Sequence, residues 1–250
     1  MAEFTLAQLL WSYPMSHAEQ LRRAYLQAMG IDVWLSRDAV DNDPLNELVD
    51  SGSPATETAA NRLPENCTWE DLRERVASCS RCVLSQSRTQ TVFGVGKQDA
   101  DWMIIGEAPG AEEDRHGEPF VGRAGKILDE MLRAIGESRD SVFIANILKC
   151  RPPNNRDPEA SEAAACRDYL QRQIELVQPK VLLAVGKTAA QNLLGSSDAV
   201  SRIRGKEHQL NGIPLVVTYH PAYLLRSPAN KRKSWFDLCL AMQLAEKGRA

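Results

Sequence analysis

The sequence predicts an α/β fold: a three-layer αβα sandwich around a central, mainly parallel four-stranded sheet, preceded by a partly helical N-terminal extension. Four short apolar runs lack the polar alternation of half-solvated strands, and a helical pattern follows each run. Strands of this kind form parallel sheets that helices cover on both faces. Ligands bind beyond the carboxyl ends of such strands, so a site is expected in the loops after residues 105, 147, 185 and 218.

The elements follow in chain order. Residues 18–35 space apolar side chains three or four apart, which indicates an amphipathic helix in an N-terminal extension, residues 1–35. Residues 36–66 are rich in Asp, Asn, Ser, Pro and Thr and cannot bury enough apolar surface to order themselves, which predicts a flexible linker. The α/β domain is predicted over residues 67–250. Its helices are predicted at 69–77, 124–135, 158–176, 187–194 and 229–247, and its strands at 102–105, 142–147, 181–185 and 215–218.

The charge is unevenly distributed. The 250 residues include 33 acidic and 30 basic ones, a net charge of -3, which by itself argues weakly against a nucleic-acid partner. However, residues 1–66 carry -6, so residues 67–250 carry +3. No apolar run approaches the roughly 18 to 20 residues that span a bilayer, and the first residues lack the basic flank of a signal peptide. A cytoplasmic protein without a membrane partner is therefore expected.

Four of the six cysteines have a spacing that indicates metal binding. Cys79 and Cys82 form a C-x-x-C pair, whereas Cys150 and Cys166 are separated by fifteen residues. Disulfides are disfavoured in the cytosol, and structural zinc sites usually repeat a tight pair. A four-iron cluster is larger, and its thiolate ligands can come from separated loops. The spacing favours a 4Fe-4S cluster, while zinc and the absence of a metal stay open.

The predicted loops carry polar and aromatic residues suited to a ligand. Gly106-Glu-Ala-Pro-Gly110 follows an apolar strand, and its glycines allow backbone N–H groups to approach a ligand closely. Phe120 lies between two glycines, Asn146 ends the next strand, and His220 follows the last one. Each also has a purely structural interpretation, as a core ring, a turn residue or a lone structural histidine.

Together these segments closely resemble the family 4 uracil-DNA glycosylases, the iron–sulfur branch of the uracil glycosylase superfamily. The resemblance covers residues 72–246 and rests on GEAPG, GEPFVGRAG, NILKCRPP, IRGK and HPAYLLR, in that order. It implies a prokaryotic base excision repair enzyme that flips uracil out of DNA and hydrolyses its N-glycosidic bond, leaving an abasic site. It also implies one 4Fe-4S cluster, held by Cys79, Cys82, Cys150 and Cys166.

The resemblance implies a uracil pocket and three catalytic residues. The pocket residues are Glu107, Ala108, Pro109, Phe120, Asn146 and His220. Phe120 would stack on the base, and the Asn146 amide would distinguish uracil from cytosine by its hydrogen-bonding edge. His220 would donate a hydrogen bond to uracil O2, and Glu107 would orient the attacking water.

A DNA-binding strip is predicted near the C-terminus. Leu224 and Leu225 are expected to form a wedge that enters the space left by the flipped base, with Arg226 on a phosphate. Further phosphate contacts are predicted for basic residues in the last fifty positions. These residues are Arg204, Lys206, Lys231 and Arg232.

Two alternatives remain, the second of them from another class. One is a protein that binds or covalently traps uracil-containing DNA without turnover, as superfamily relatives do with a basic, His-containing insert. No histidine lies between His116 and His208, which favours turnover. The other is an iron–sulfur electron-transfer protein. A monomer is expected, with a possible protein partner at the acidic N-terminal extension.

Overall fold

A computed structural model describes residues 63–64 and 66–248 of the chain. The predicted extension, residues 1–35, and nearly all of the predicted linker, residues 36–66, lie outside the described residues. The boundaries proposed for these two segments therefore stay predictions.

The described residues form eight α-helices and six strands, joined by loops and short 3-10 turns. The helices are α1 (Trp69–Ala77), α2 (Ala111–His116), α3 (Arg123–Ala134), α4 (Ala160–Val177), α5 (Lys187–Leu194), α6 (Val200–Ile203), α7 (Pro221–Arg226) and α8 (Lys231–Lys247). The strands are β1 (Val95–Gly96), β2 (Trp102–Gly106), β3 (Phe143–Asn146), β4 (Val181–Val185), β5 (Glu207–Leu210) and β6 (Ile213–Thr218). None of the helices in residues 63–64 and 66–248 is long and apolar enough to cross a membrane.

The six strands form one mixed sheet in the order β1-β3-β2-β4-β6-β5. The four central strands are parallel, with Ile105 opposite Ala145 and Ala184, which confirms the predicted parallel sheet. The two edge strands are antiparallel and were not predicted. β1 has only two residues, and β5 is polar with every residue exposed or half-buried, so neither shows the apolar run of a central strand.

Side chains of the central strands alternate between two cores, which confirms the three-layer arrangement. Along β2, Met103 and Ile105 pack with α1, α4 and α5 on one face. Trp102 and Ile104 pack with α3 and α8 on the other. This alternation follows from the two-residue period of a strand, and it explains why every residue of β2 is buried and apolar or glycine.

Helix and strand bounds differ from the prediction by two residues or fewer for most predicted elements. The short helices α2, α6 and α7 were not predicted. α2 has the sequence AEEDRH, and a helix of six residues with a single apolar position carries no amphipathic periodicity. α7 begins at Pro221, where the absent proline N–H costs nothing because first-turn N–H groups have no helical partner.

Candidate active site

A cleft of about 1040 Å³ opens at the carboxyl ends of the parallel strands. Its lining includes residues from all four loops predicted at this edge, after β2, β3, β4 and β6, together with Asn146, the last residue of β3. Glu107, Ala108, Phe120, Asn146 and His220 all line it. The fold therefore brings together five of the six residues predicted for the pocket, which are spread over more than one hundred positions of sequence.

Gly106, the last residue of β2, makes the closest packing of the cleft possible. A Cβ at this position would lie 2.3 Å from Asn146 Oδ1 and 2.6 Å from Phe120 Cζ. Ordinary contacts begin at about 3.4 Å, so only glycine allows the Asn146 amide and the Phe120 ring to approach the strand together. The backbone pairing of β2 and β3 continues past this point, since Ile147 N donates to Gly106 O at 3.0 Å.

Asn146 is 2% exposed, and its Oδ1 has no hydrogen-bond partner within the part of the chain that the structure describes. A buried acceptor without a partner is costly, so its retention indicates a ligand that supplies a donor. Its carbonyl group is bound by Lys149, whose Nζ donates to Asn146 O at 2.8 Å and to Gln173 Oε1 at 2.6 Å. Burial lowers the pKa of Lys149 to about 8.

His220 is the N-cap residue of α7, and its Nδ1 accepts a hydrogen bond from Ala222 N at 3.1 Å. Burial and the nearby Arg226 guanidinium lower the pKa of His220 to about 4, so the imidazole is neutral at pH 7. With Nδ1 acting as an acceptor, the single ring proton is on Nε2. His220 therefore brings one neutral donor to the cleft, with its ring centroid 5.7 Å from that of Phe120.

Glu107 follows β2 directly, and its carbonyl accepts from Leu148 N at 3.1 Å, which fixes its main chain. Burial raises the pKa of its carboxyl, a hydrogen bond from Thr188 opposes this rise, and the Asp157 carboxylate adds to it. A partly buried carboxylate with a raised pKa at the wall of a cleft is suited to bind or activate water. Of the neighbouring loop residues, Ala108 also lines the cleft, whereas Pro109 is buried behind it.

The four predicted ligand cysteines come from three segments. Cys79 and Cys82 follow α1, Cys150 follows β3, and Cys166 lies within α4. All four are free cysteines of one core, Cys150 and Cys166 buried and Cys79 and Cys82 half-buried. Burial raises the pKa of Cys150, the Arg88 guanidinium opposes this rise, and Cys82 and Cys79 add to it. Within residues 63–64 and 66–248, no group of three or more His, Cys, Asp or Glu side chains could hold a metal ion.

Two residues of the predicted DNA-binding strip are placed differently from the prediction. Leu224 is 1% exposed and packs in the core with residues of α3 and α8, a placement that does not agree with an exposed wedge. The Arg204 guanidinium makes two hydrogen bonds to the buried Asp237, at 2.7 and 3.0 Å, and it lies over the Tyr219 ring. The Arg204 side chain is therefore 15% exposed and engaged in an ion pair with a buried carboxylate, which does not favour a phosphate contact.

The other residues of the strip are accessible. Lys206, Arg226, Lys231 and Arg232 are exposed, and Leu225 is half-buried. Arg226 also lines the cleft, within electrostatic range of His220. These accessible residues remain a candidate DNA-contacting surface, and Leu225 remains a candidate for the wedge.

Several residues of the site were not predicted from sequence. Tyr219 and Tyr223 line the cleft with their ring centroids 5.0 Å apart. Both lie close to His220 in the sequence, so their position at the predicted ligand edge could have indicated that they belong to the site. Thr188 also lines the cleft, in the first turn of α5 just after the loop that follows β4; this loop was expected to carry ligand contacts but had no assigned residue. The contact from Lys149 has no local signal, because an isolated lysine is usually solvated.

Comparison with known proteins identifies the family. The family model described as "Uracil DNA glycosylase superfamily" matches residues 93–242. The Type-4 uracil-DNA glycosylase of Archaeoglobus fulgidus is 44% identical over 167 residues, which cover 64% of this chain and 84% of the relative. That of Thermotoga maritima is 44% identical over 164 residues, 65% of this chain and 85% of the relative.

A more distant relative lies in a second branch. The Type-5 uracil-DNA glycosylase of Pyrobaculum aerophilum is 27% identical over 190 residues, 62% of this chain and 83% of the relative. The higher identity and similar coverage of the Type-4 proteins agree with the order of motifs from GEAPG to HPAYLLR. The chain therefore belongs to the uracil-DNA glycosylase superfamily and, within it, to the type-4 family.

Proposed function

We propose that this chain is a uracil-DNA glycosylase, which excises uracil from DNA as the first step of base excision repair. Membership of the type-4 family supports this function. The observation that carries it is the buried Asn146 side chain, which lines the cleft near the Phe120 ring and whose Oδ1 has no hydrogen-bond partner among the described residues. An acceptor of this kind is suited to an N–H of a planar base that has left the DNA helix.

Uracil must leave the base stack before it can enter the cleft, at a cost of a few kcal/mol. Stacking on Phe120 offsets about 1–3 kcal/mol of this cost, but any base has a π-face, so stacking does not select uracil. The Asn146 amide supplies the selection. Its Oδ1 accepts from uracil N3–H while its Nδ2 donates to O4, whereas cytosine presents the opposite pattern.

Cleavage of the N-glycosidic bond leaves negative charge on uracil O2 and positive charge on the sugar. A neutral His220 donates its Nε2 proton in a hydrogen bond to O2, and this bond strengthens as charge develops. A preorganised donor of this type typically lowers the barrier by about 3–4 kcal/mol. The hydrogen bond from Ala222 N to Nδ1 holds the required tautomer before the substrate binds.

Glu107 lies at the wall of the same cleft, where its carboxylate can accept a hydrogen bond from the attacking water. Its negative charge also stabilises the oxocarbenium-like sugar of the transition state. Thr188 and Lys187 both favour the charged form of Glu107, the first by a hydrogen bond and the second by its charge. These contacts oppose the rise that burial causes in the pKa of this carboxyl.

A 4Fe-4S cluster bound by Cys79, Cys82, Cys150 and Cys166 is part of the proposal. Four free sulfur donors from three segments of one core support it, as does Arg88, whose Nη1 donates to Cys150 Sγ at 3.1 Å. Burial raises the pKa of Cys166 to about 11, so thiolate there requires a compensating cation. The cluster would link α1, the loop after β3 and α4, and thereby stabilise the fold.

DNA is proposed to lie across the cleft mouth. Leu225 would enter the space left by the flipped base, and the exposed basic side chains would contact phosphates. These side chains are Lys206, Arg226, Lys231 and Arg232. We also propose that the protein acts as a monomer in a prokaryotic cytoplasm, and that the acidic residues 1–66 contact a protein partner.

The test uses oligonucleotides that carry uracil, cytosine or thymine at one position, incubated with the full chain and then treated with alkali. Strand breaks only at uracil are expected. Asn146→Asp should reduce the preference for uracil over cytosine, whereas Asn211→Asp, an exposed residue of the β5–β6 turn, should keep it. Absence of breaks at uracil in the wild-type protein would overturn the function, and an unchanged preference in Asn146→Asp would overturn the role of that residue.

A further inference from the structure

Phe120 is held in an uncommon backbone conformation. Its φ is 55°, in the left-handed region that non-glycine residues rarely adopt and that costs on the order of 1–3 kcal/mol. The ring is 6% exposed and contacts the cleft beside His220. Such a conformation persists only where surrounding contacts impose it.

Arg139 binds both carbonyl groups of this turn. Its Nη2 donates to Pro119 O at 2.5 Å, and its Nη1 donates to Phe120 O at 3.1 Å. Asp129 Oδ1 accepts from the same Nη1 at 3.1 Å and so orients the guanidinium from α3. Arg139 comes from the loop between α3 and β3, its side chain is 26% exposed, and it does not belong to the cleft lining.

The backbone amide groups of the same turn are bound by Glu113. Glu113 Oε1 accepts from Val121 N at 3.1 Å and from Gly122 N at 3.3 Å. A third contact comes from Gly125 of α3, where an added Cβ would lie 1.6 Å from Phe120 O. The carbonyls therefore face a cation and the amides an anion, and the first turn of α3 closes the remaining space.

We propose that Arg139 is a positioning residue for uracil recognition: it holds the Phe120 turn so that the ring is in place before the flipped base arrives. This inference rests on the proposed function. A ring whose conformation is already fixed loses no entropy when the base stacks on it, which preserves the stacking energy. Arg139 is a better test of this role than Glu113, because Glu113 also binds Gly110 N of the first loop and lines the cleft.

The experiment compares Arg139→Ala and Arg139→Lys with the matched control Arg133→Ala, which removes an exposed arginine paired with Glu130 on the surface of α3. Affinity is measured for duplexes that carry either a non-hydrolysable 2′-fluoro-deoxyuridine or an abasic analogue. Arg139→Ala should bind the uracil duplex about 10-fold more weakly, within the range that base stacking supplies, and the abasic duplex as the wild-type protein does. Arg139→Lys, which retains one donor group, should bind the uracil duplex with an affinity between those of Arg139→Ala and the wild-type protein.

Cleavage of ordinary uracil DNA is measured in parallel, with thermal unfolding to verify folding. If Arg139→Ala is too unstable, Asp129→Asn, which releases the guanidinium without removing it, should show the same selective loss to a smaller extent. Equal losses on uracil and abasic duplexes, or no loss on either, would refute the positioning role. A wild-type protein that binds both duplexes but cleaves no uracil DNA would instead refute the proposed function.

Discussion

Gly106→Ala tests whether the close approach of Asn146 and Phe120 to β2 is needed for activity. The added Cβ would lie 2.3 Å from Asn146 Oδ1 and 2.6 and 2.7 Å from two atoms of the Phe120 ring. Ordinary contacts begin at 3.4 Å, so the amide and the ring must retreat by roughly 1 Å, a displacement that can lower a rate about 100-fold. Overpacking of this kind typically costs about 1–3 kcal/mol of stability.

The assay is single-turnover excision from uracil DNA, together with urea unfolding of the same preparation. The matched control is Gly248→Ala, at the end of α8, where an added Cβ would come no closer than 3.4 Å to Lys180. Gly106→Ala should fold, lose about 100-fold in excision rate, and keep its affinity for abasic DNA. A folded Gly106→Ala protein with the wild-type rate and uracil preference would falsify the argument that this contact organises the pocket.

Four further predictions concern protonation, the Arg204–Asp237 ion pair, the DNA-contacting strip and the N-terminal residues. Because the folded-state pKa of His220 is about 4 and its ordinary value 6.5, its contribution to stability is complete above pH 6.5 and is lost as the pH falls towards 4. Between pH 7.5 and pH 5, urea unfolding should therefore show a smaller drop in the free energy of unfolding for His220→Gln than for the wild type. Equal drops would contradict the assignment. Arg204→Ala removes the ion-pair partner of the buried Asp237 and should lower the free energy of unfolding by about 3–5 kcal/mol, whereas a normal melting temperature would exclude a structural ion pair. Lys231→Glu should melt at the normal temperature but bind DNA more weakly. The slope of log affinity against log salt concentration should become less steep by about one, and an unchanged slope would remove this residue from the strip. Deletion of residues 1–62, which retains Leu63 in the core, should keep excision and tighten DNA binding at low salt; weaker binding would contradict the charge argument.

The four central strands were predictable because each is a continuous apolar run, the pattern of a strand buried on both faces. Their carboxyl ends were predictable as the site for the same reason, since ligand sites in such sheets lie at that edge. The edge strands β1 and β5 were not, because one is two residues long and the other is polar. Short elements contribute too few residues to show a period.

Two residues show why local patterns fail at the DNA-contacting strip. Leu224 follows His220 in a loop-like sequence that looks exposed, but α7 turns this side chain into the core. Arg204 lies within a basic segment, but its partner Asp237 is 33 positions away in α8. In each case a contact between distant segments decides whether an apolar or charged side chain reaches solvent.

By itself, the sequence determined the α/β class, the central strands, the order of the motifs and the family to which they belong, because periodicity and short motifs are local properties of a chain. Only the tertiary structure decided how the pocket is built. The contact of Gly106 with Asn146 and Phe120, and the hold of Arg139 on the Phe120 turn, join residues that are distant in sequence. Such contacts depend on distances of a few tenths of an ångström, which only the packing of the complete sheet and its helices establishes.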